Sequence, residues 1–405
     1  MAEVTLSPLP VDGGSIRDLR SGDVCMMSSG VYFTVHSQYN PGYTFGTLVS
    51  ISGEDTETPV STIIRSEILV GLECGNGHAS FDCAKMDDDH VVITRLFGAT
   101  AYAFLIHIDP TTKAMSQVAP AIALNCAMYG EILANAQLGI SHIEDGVVGL
   151  SYVGSDRYGY IDQLLWDGTT FSKENIYTST SLLDNEAKYG YNFSFTQSKV
   201  GGWFAIWSYR TENYGTERMS YRPIRQVFKM VFGSNPSATV VQHTESMSTP
   251  PGMALDNDTI YLMSSGDEYN LAGHTSTIEG TWISSLGQND GMLGYYANWH
   301  QTGNDDPNTF IYIAGHSHSW TSNYDNTTDN HDYKMYIGKI VDLRPVVSPA
   351  SSSGISFSLS DGGKDVKPMS HFPFEKISET TIVHYGCADE TSSSNHRFVF
   401  SYINF

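Results

Sequence analysis

Cationic residues are scarce in this chain. Lys and Arg number 22 against 44 Asp and Glu, a formal net charge of −22. A nucleic-acid surface needs a basic stripe that releases phosphate counterions, and none is present, so nucleic acid is excluded as a partner. The same repulsion disfavours anionic membranes. No run of about 18 apolar residues occurs, so neither a transmembrane helix nor membrane insertion is expected. Residues Met1 to Pro10 lack a basic region followed by an apolar core, so no secretory signal is expected. The five cysteines include no C-x-x-C pair. Buried free thiols are the expectation, with a Cys74–Cys83 disulfide as the alternative because one short loop could bring the two together. Several catalytic signatures are also missing. There is no G-x-S-x-G elbow, no dinucleotide or phosphate-cradling glycine loop, no D-x-D-x-D-G calcium loop and no H-x-x-x-H zinc helix. No cofactor is expected. Long amphipathic helices are missing too; Ala121 to Gln137 alone reads as a short one.

What is present is a repeat. Seven times a polar turn leads into a β-branched or aromatic run, then a polar loop, then a second apolar run and a tight turn. The first runs centre on Val31–Phe33, Val91–Ile93, Val147–Leu150, Trp203–Ile206, Ile260–Leu262, Phe310–Ile313 and Thr381–Val383. The second runs are Thr47–Ile51, Tyr102–Ile108, Tyr160–Trp166, Gln226–Phe232, Ile278–Ile283, Lys334–Ile340 and Arg397–Ile403. A spacing of roughly 50 to 70 residues suits a repeat made of one small antiparallel sheet. Sheets repeated around an axis make a β-propeller. The two runs read as the second and third strands of a four-stranded blade. Val24–Met27, Ser80–Lys85, Gly139–Ile143, Asn192–Gln197 and Gly252–Leu255 are the candidate first strands.

The expected fold is therefore all-β, a single propeller domain over 1–405 with seven blades of four antiparallel strands. The blades fall near 20–65, 66–120, 121–183, 184–247, 248–302, 303–360 and 361–405, the last completed by 1–10. Ala2 to Leu6 alternates Val4 and Leu6 with Glu3 and Thr5, as an outer strand closing the final blade would. Such closure removes an open sheet edge. Over its full length the chain resembles seven-bladed β-propeller proteins, although it lacks the repeated Trp-Asp signature and the kelch glycine pairs of two large propeller families. Low Lys and Arg with abundant Ser, Thr, Asn, Gly and Tyr, and no export signal, resembles tail or surface proteins of bacterial viruses. That resemblance implies a virion location.

The loops between second and third strands are long, aromatic and polar, while those between third and fourth strands are short. Function is therefore expected on the long-loop face. Ser208 to Arg225 holds four of the chain's 11 arginines, among them Arg210, Arg218 and Arg222, interleaved with Tyr209, Tyr214 and Tyr221. Guanidinium forks grip carboxylates or phosphates, and tyrosines add flat amphipathic area. Arginines paired with the protein's own surplus carboxylates are the competing reading. Ala314 to Tyr333 carries His316, His318, Trp320 and Tyr324, with Asp325, Asp329 and Asp332 as weak metal candidates beside a plain solvated loop. His36 and Tyr39 in the first loop, Tyr158 in the third, and Tyr269 and His274 in the fifth extend the same chemistry. Asp87 to His90 lies on the opposite side and reads as a solvated hairpin turn.

Sialidase-type S-x-D-x-G-x-x-W turns are not found, and the arginines concentrate in one loop. Glycosidases need two carboxylates converging across a sugar, which a sequence alone does not pair. The leading expectation is a non-catalytic recognition protein of a virus particle, binding a host surface glycan or a neighbouring virion protein. A structural propeller joining a larger, oligomeric assembly and a glycan-degrading enzyme remain as alternatives.

Overall fold

The computed structural model describes the backbone of the strands named below. It describes side chains at 23–36, 42–53, 60–72, 81–96, 100–126, 138–156, 158–180, 193, 195–198, 201–207 and 226–242. Every regular element among the described residues is a β-strand. After β1 (Glu3–Asp12) comes a sheet of β2 (Gly22–Ser28), β3 (Val31–Ser37), β4 (Thr44–Ser52) and β5 (Val60–Ile68). The second sheet holds β6 (Ala79–Asp87), β7 (His90–Phe97) and β8 (Thr100–Ile108), with β9 (Met115–Gln117) and β10 (Ile122–Leu124) both on β8. Next are four-stranded meanders: β11 (Gly139–Glu144), β12 (Val147–Val153), β13 (Gly159–Trp166) and β14 (Phe171–Thr178), then β15 (Asn192–Gln197), β16 (Trp203–Glu212), β17 (Tyr221–Val231) and β18 (Ser237–Glu245). Another is β19 (Gly252–Ala254), β20 (Thr259–Gly266), β21 (Asn270–Thr277) and β22 (Trp282–Asn289). Then β23 (Tyr296–Gln301), β24 (Thr309–Ser317), β25 (His331–Val341), β26 (Arg344–Val347) and β27 (Ile355–Ser358) form a sheet. The last joins β28 (Ser360–Asp361), β29 (Lys364–Pro368), β30 (Phe374–Ser378), β31 (Thr381–Asp389) and β32 (His396–Asn404) to β1.

Neighbouring sheets stack in chain order. The first strands pack side by side as β2 on β6, β6 on β11, β11 on β15 and β15 on β19. The last sheet returns to the first through β30 on β2 and β1 on β5. β1 pairs antiparallel with β32, from Glu3 opposite Asn404 to Pro8 opposite Val399. The N-terminal strand thus closes the final sheet, as its alternation predicts.

Stacking explains which strands the sequence announces. A second strand is covered on both faces, so it becomes a near-continuous apolar run rather than an alternating one. Val147 to Tyr152 of β12 is buried at every position. The outer strand β5, by contrast, is exposed or half-buried throughout. Cores lie between sheets: Phe33, Val35 and Leu48 meet Phe81, Val91 and Ile106 in one, and Ile161 meets Trp207 and Phe228 in another. Trp207 is fully buried, and its indole N–H donates to Ser151 Oγ across the seam at 2.6 Å. Gln163 crosses the same seam, donating to Gly233 O at 2.8 Å and accepting from Gly233 N at 2.9 Å. Gly139 sets the inner spacing, because a Cβ there would lie 2.4 Å from Phe193 O.

Three expectations need correction. The expected helix at Ala121 to Gln137 begins instead as β10, paired with Ala101–Ala103, and then bridges Cys126 to Gly154; 127–137 lie outside the described residues. Helical spacing of Ala and Leu lost there to an open edge of β8 that needed a partner. The fifth second run, Ile278–Ile283, is misplaced. The third strand is β21, whose sequence NLAGHTST is too polar to announce itself, and Trp282 and Ile283 open the fourth. Tyr296 to Gln301, grouped with the fifth repeat by sequence, pairs with β24 of the following sheet.

Candidate functional site

Up-and-down topology sends the second-to-third loops and the connections between sheets to one face. In the second and third sheets these two kinds of segment meet. Ser155 N donates to Asn125 O at 2.8 Å, and Gly154 N donates to Tyr158 O at 2.7 Å. Residue 154 must be small: a Cβ would stand 2.4 Å from Asp156 Oδ1, 2.5 Å from the Tyr160 ring and 3.0 Å from Asn125 O.

Around this glycine the side chains form a closed polar set. Asn125 Nδ2 donates to Asp156 Oδ2 at 3.0 Å and lies 3.2 Å from Tyr160 Oη. Tyr160 Oη donates to the same carboxylate oxygen at 2.5 Å, and Ser155 Oγ donates to Asn125 Oδ1 at 2.7 Å. The backbone N–H of Tyr158 donates to Asp156 Oδ1 at 3.2 Å. Burial acts to raise the Asp156 pKa, but the hydrogen bonds from Tyr160, Tyr158 N–H and Asn125 outweigh it and hold the carboxyl below its usual range. Burial and the bond to Asp156 push Tyr160 upward, so its phenol stays a donor. Asn125, Ser155 and Asp156 are exposed, and Tyr158 and Tyr160 are half-buried.

A second network supports the first from below. The Tyr160 ring stacks on Tyr152, with centroids 5.4 Å apart and planes 20° apart. Tyr152 Oη donates to Asp162 Oδ2 at 2.7 Å, Lys173 Nζ donates to the same oxygen at 3.1 Å, and Asn175 Nδ2 donates to Oδ1 at 2.8 Å. Asp162 is wholly buried, so these bonds replace its lost hydration. Burial, then the adjacent Asp162 charge, drives the Tyr152 pKa far up. Tyr152 is thus fixed as a proton donor and positions Tyr160 rather than acting as a base. Burial also pushes Asp82 up to about 7, against a lowering bond from Thr94.

The expected site residues divide into those the structure describes and those outside it. Tyr158 sits in the β12–β13 loop with its amide on Asp156. The stretch Ser208 to Arg225 is not wholly loop. β16 and β17 extend through it, with Tyr209 opposite Ile224, Arg210 opposite Pro223, Thr211 opposite Arg222 and Glu212 opposite Tyr221. β15 stops pairing at Ser208 and β18 at Ile224, so this part is a two-stranded ribbon beyond the sheet. His274 is a strand residue of β21, opposite Leu262 and Ser285, not a loop residue. Thr-rich β21 accommodates it because β-branched neighbours favour extended backbone. His316 is the penultimate residue of β24, directly opposite Asp332 of β25. Tyr39, Tyr214, Arg218, Tyr269, His318, Trp320, Tyr324, Asp325 and Asp329 lie outside the described residues. His36 is fully buried and stacked on Phe45 at 5.3 Å, and burial lowers its pKa to about 3; it is a core residue. Sequence reasoning missed Asn125 and Tyr160. Asn125 lay inside the misread helix, and Tyr160 looked like any strand aromatic.

No family model matches this chain, and no curated protein matches it. Solved structures do. A polysaccharide lyase of family PL25, an ulvan lyase bound to a GlcA–Rha3S saccharide, is 10% identical over 97% of this chain and 95% of that chain, with a TM-score of 0.51. The fold is propeller-like. Two further matches are weaker. They are a protein of unknown function from Dyadobacter fermentans (9% identity, 100% and 98% coverage, TM-score 0.46) and the lectin SapL1 in complex with α-methyl fucoside (8% identity, 82% and 96% coverage, TM-score 0.39). At these identities the likeness is one of architecture, and the two weaker matches add no argument.

Proposed function

We propose that this chain is a single seven-bladed β-propeller that binds a glycan without cleaving it, through the face carrying the second-to-third loops. The blade count is supported by the sheets following one another in chain order and by the return of β30 and β1 to the first sheet. The observation that carries the function is the Asn125–Ser155–Asp156–Tyr160 set. A fixed carboxylate, an amide and a hydroxyl beside an aromatic ring match the alternating hydroxyls and apolar faces of a sugar. The ribbon bearing Tyr209, Arg210, Tyr221 and Arg222 rises on the same face and supplies cations for an acidic sugar. The virion setting rests on composition, and a host surface glycan or a neighbouring virion protein would be the partner there.

The test is a broad glycan array with the wild-type chain, Asp156→Ala and Arg222→Ala. Selective binding that both variants weaken supports the reading, and no binding by the wild type overturns it. A second reading, saccharide cleavage, draws on the fold shared with a polysaccharide lyase. New chain ends in a bound glycan after incubation would favour it. The locked Tyr152 phenol argues against a base at the buried network.

A further inference from the structure

Two buried thiols lie in the core between the first two sheets. Side chains alternate across a strand, so β2 presents Cys25 and Met27 to one side and β6 presents Phe81 and Cys83 to one side. All four belong to the core cluster joining these sheets. The Asp23 carboxylate accepts the Cys83 N–H at 2.8 Å, which fixes the level of β2 against β6. Asp23 and Cys25 lie two residues apart on the same side of β2, so the bond from Cys83 N–H to Asp23 brings Cys83 alongside Cys25 within one core cluster. Both are buried, and both are free thiols. Burial, then the neighbouring thiol, pushes the Cys83 pKa well up, so the Cys83 thiol stays protonated and inert while the seam is closed. The alternative partner read from sequence, Cys74, lies outside the described residues.

We propose that Cys25 and Cys83 form a redox-sensitive pair that closes into a disulfide tying together the inner strands of the first two sheets. Each thiol gives up its proton and the pair gives up two electrons as the S–S bond forms. A low-molecular-weight disulfide, such as oxidised glutathione, takes up both electrons and protons and leaves as two thiols. The bond adds a covalent tie to a seam otherwise held by packing and by hydrogen bonds such as Cys83 N–H to Asp23, so it restricts separation of the two sheets and constrains the unfolded chain.

The full chain is unfolded and refolded in oxidised glutathione, its remaining thiols are alkylated, and it is digested without reduction for mass spectrometry. The expected result is a Cys25–Cys83 linked peptide with three alkylated cysteines remaining of the five in the chain. Thermal unfolding should shift upward, and dithiothreitol should reverse the shift. Cys74→Ser should keep both signatures, and Cys25→Ser should lose both. A Cys74–Cys83 peptide, or five alkylated cysteines after refolding, would overturn the proposal. The wild-type peptide map decides even where the Cys25 variant folds poorly.

Discussion

The two faces of the stacked sheets use their carboxylates differently. On the face of the third-to-fourth turns, Asp109 accepts the amides of Thr111 and Thr112 at 2.9 and 2.6 Å and the Thr112 hydroxyl at 2.9 Å. Asp167 repeats the arrangement with Thr169 and Thr170, at 2.7 to 2.8 Å. Each aspartate closes its own turn, and its charge is consumed locally. On the long-loop face, Asp156 reaches Asn125, 31 positions away, across two sheets. A self-closed turn offers little to a ligand. A carboxylate held between two connections is fixed in place and still exposed, as recognition requires.

Four predictions test this contrast. The largest effect is expected below the loop face. Asp162→Ala leaves Lys173, Asn175 and Tyr152 without their shared acceptor and should cost about 3–5 kcal/mol, read from denaturant midpoints. A loss under about 1 kcal/mol would mean that water replaces the carboxylate there. Paired glycine substitutions come next. Gly154→Ala forces Asp156 and Tyr160 apart and should cost about 1–3 kcal/mol together with glycan binding. Gly168→Ala meets no atom within 4 Å but sits at φ +90°, so strain of about 1–2 kcal/mol should spare binding.

Smaller effects separate the carboxylates themselves. Asp156→Ala should weaken glycan binding about tenfold, whereas Asp167→Ala should leave the affinity unchanged and lower the melting temperature slightly. Equal losses of affinity in both variants would erase the distinction between the faces. The smallest effect is on pH dependence. Hydrogen bonds from the Thr112 amide and hydroxyl and the Thr111 amide hold Asp109 low, and those from Thr169 and Thr170 hold Asp167 low. A depressed carboxyl adds stability above its unfolded pKa of about 3.9, and that contribution is lost as pH falls through the folded value. Asp167→Asn should therefore lower stability slightly at neutral pH, where the ionised carboxyl contributes, and flatten the acid limb of the stability curve below about pH 4. Carbon-detected NMR titration of the wild type should place both carboxyls below the ordinary range.

Legibility in the sequence followed the range of the forces involved. Runs such as Val147–Leu150 and Trp203–Ile206 mark second strands because burial on both faces demands apolar side chains at every step. The turn at Asp167–Gly168 was readable because its hydrogen bonds close within three residues. β21 was not, since its residues are chosen by partners in β20 and β22 rather than by a local pattern. Asn125 was misread for the same reason: its stretch looks helical until the free edge of β8 recruits Ile122–Leu124.

An all-β chain of repeated sheets, a terminal strand able to close the last of them, and a net charge of −22 are legible in the sequence alone. Those features depend on local periodicity and on summed charge, both of which are linear in the chain. Three-dimensional packing was needed to show that Asn125, Asp156 and Tyr160 share one surface, that Tyr152 is locked onto Asp162, and that Cys25 and Cys83 share one core cluster. Such pairings depend on the stagger between neighbouring sheets, which is set by close packing at glycines such as Gly139 and by seam-crossing bonds such as Trp207 to Ser151.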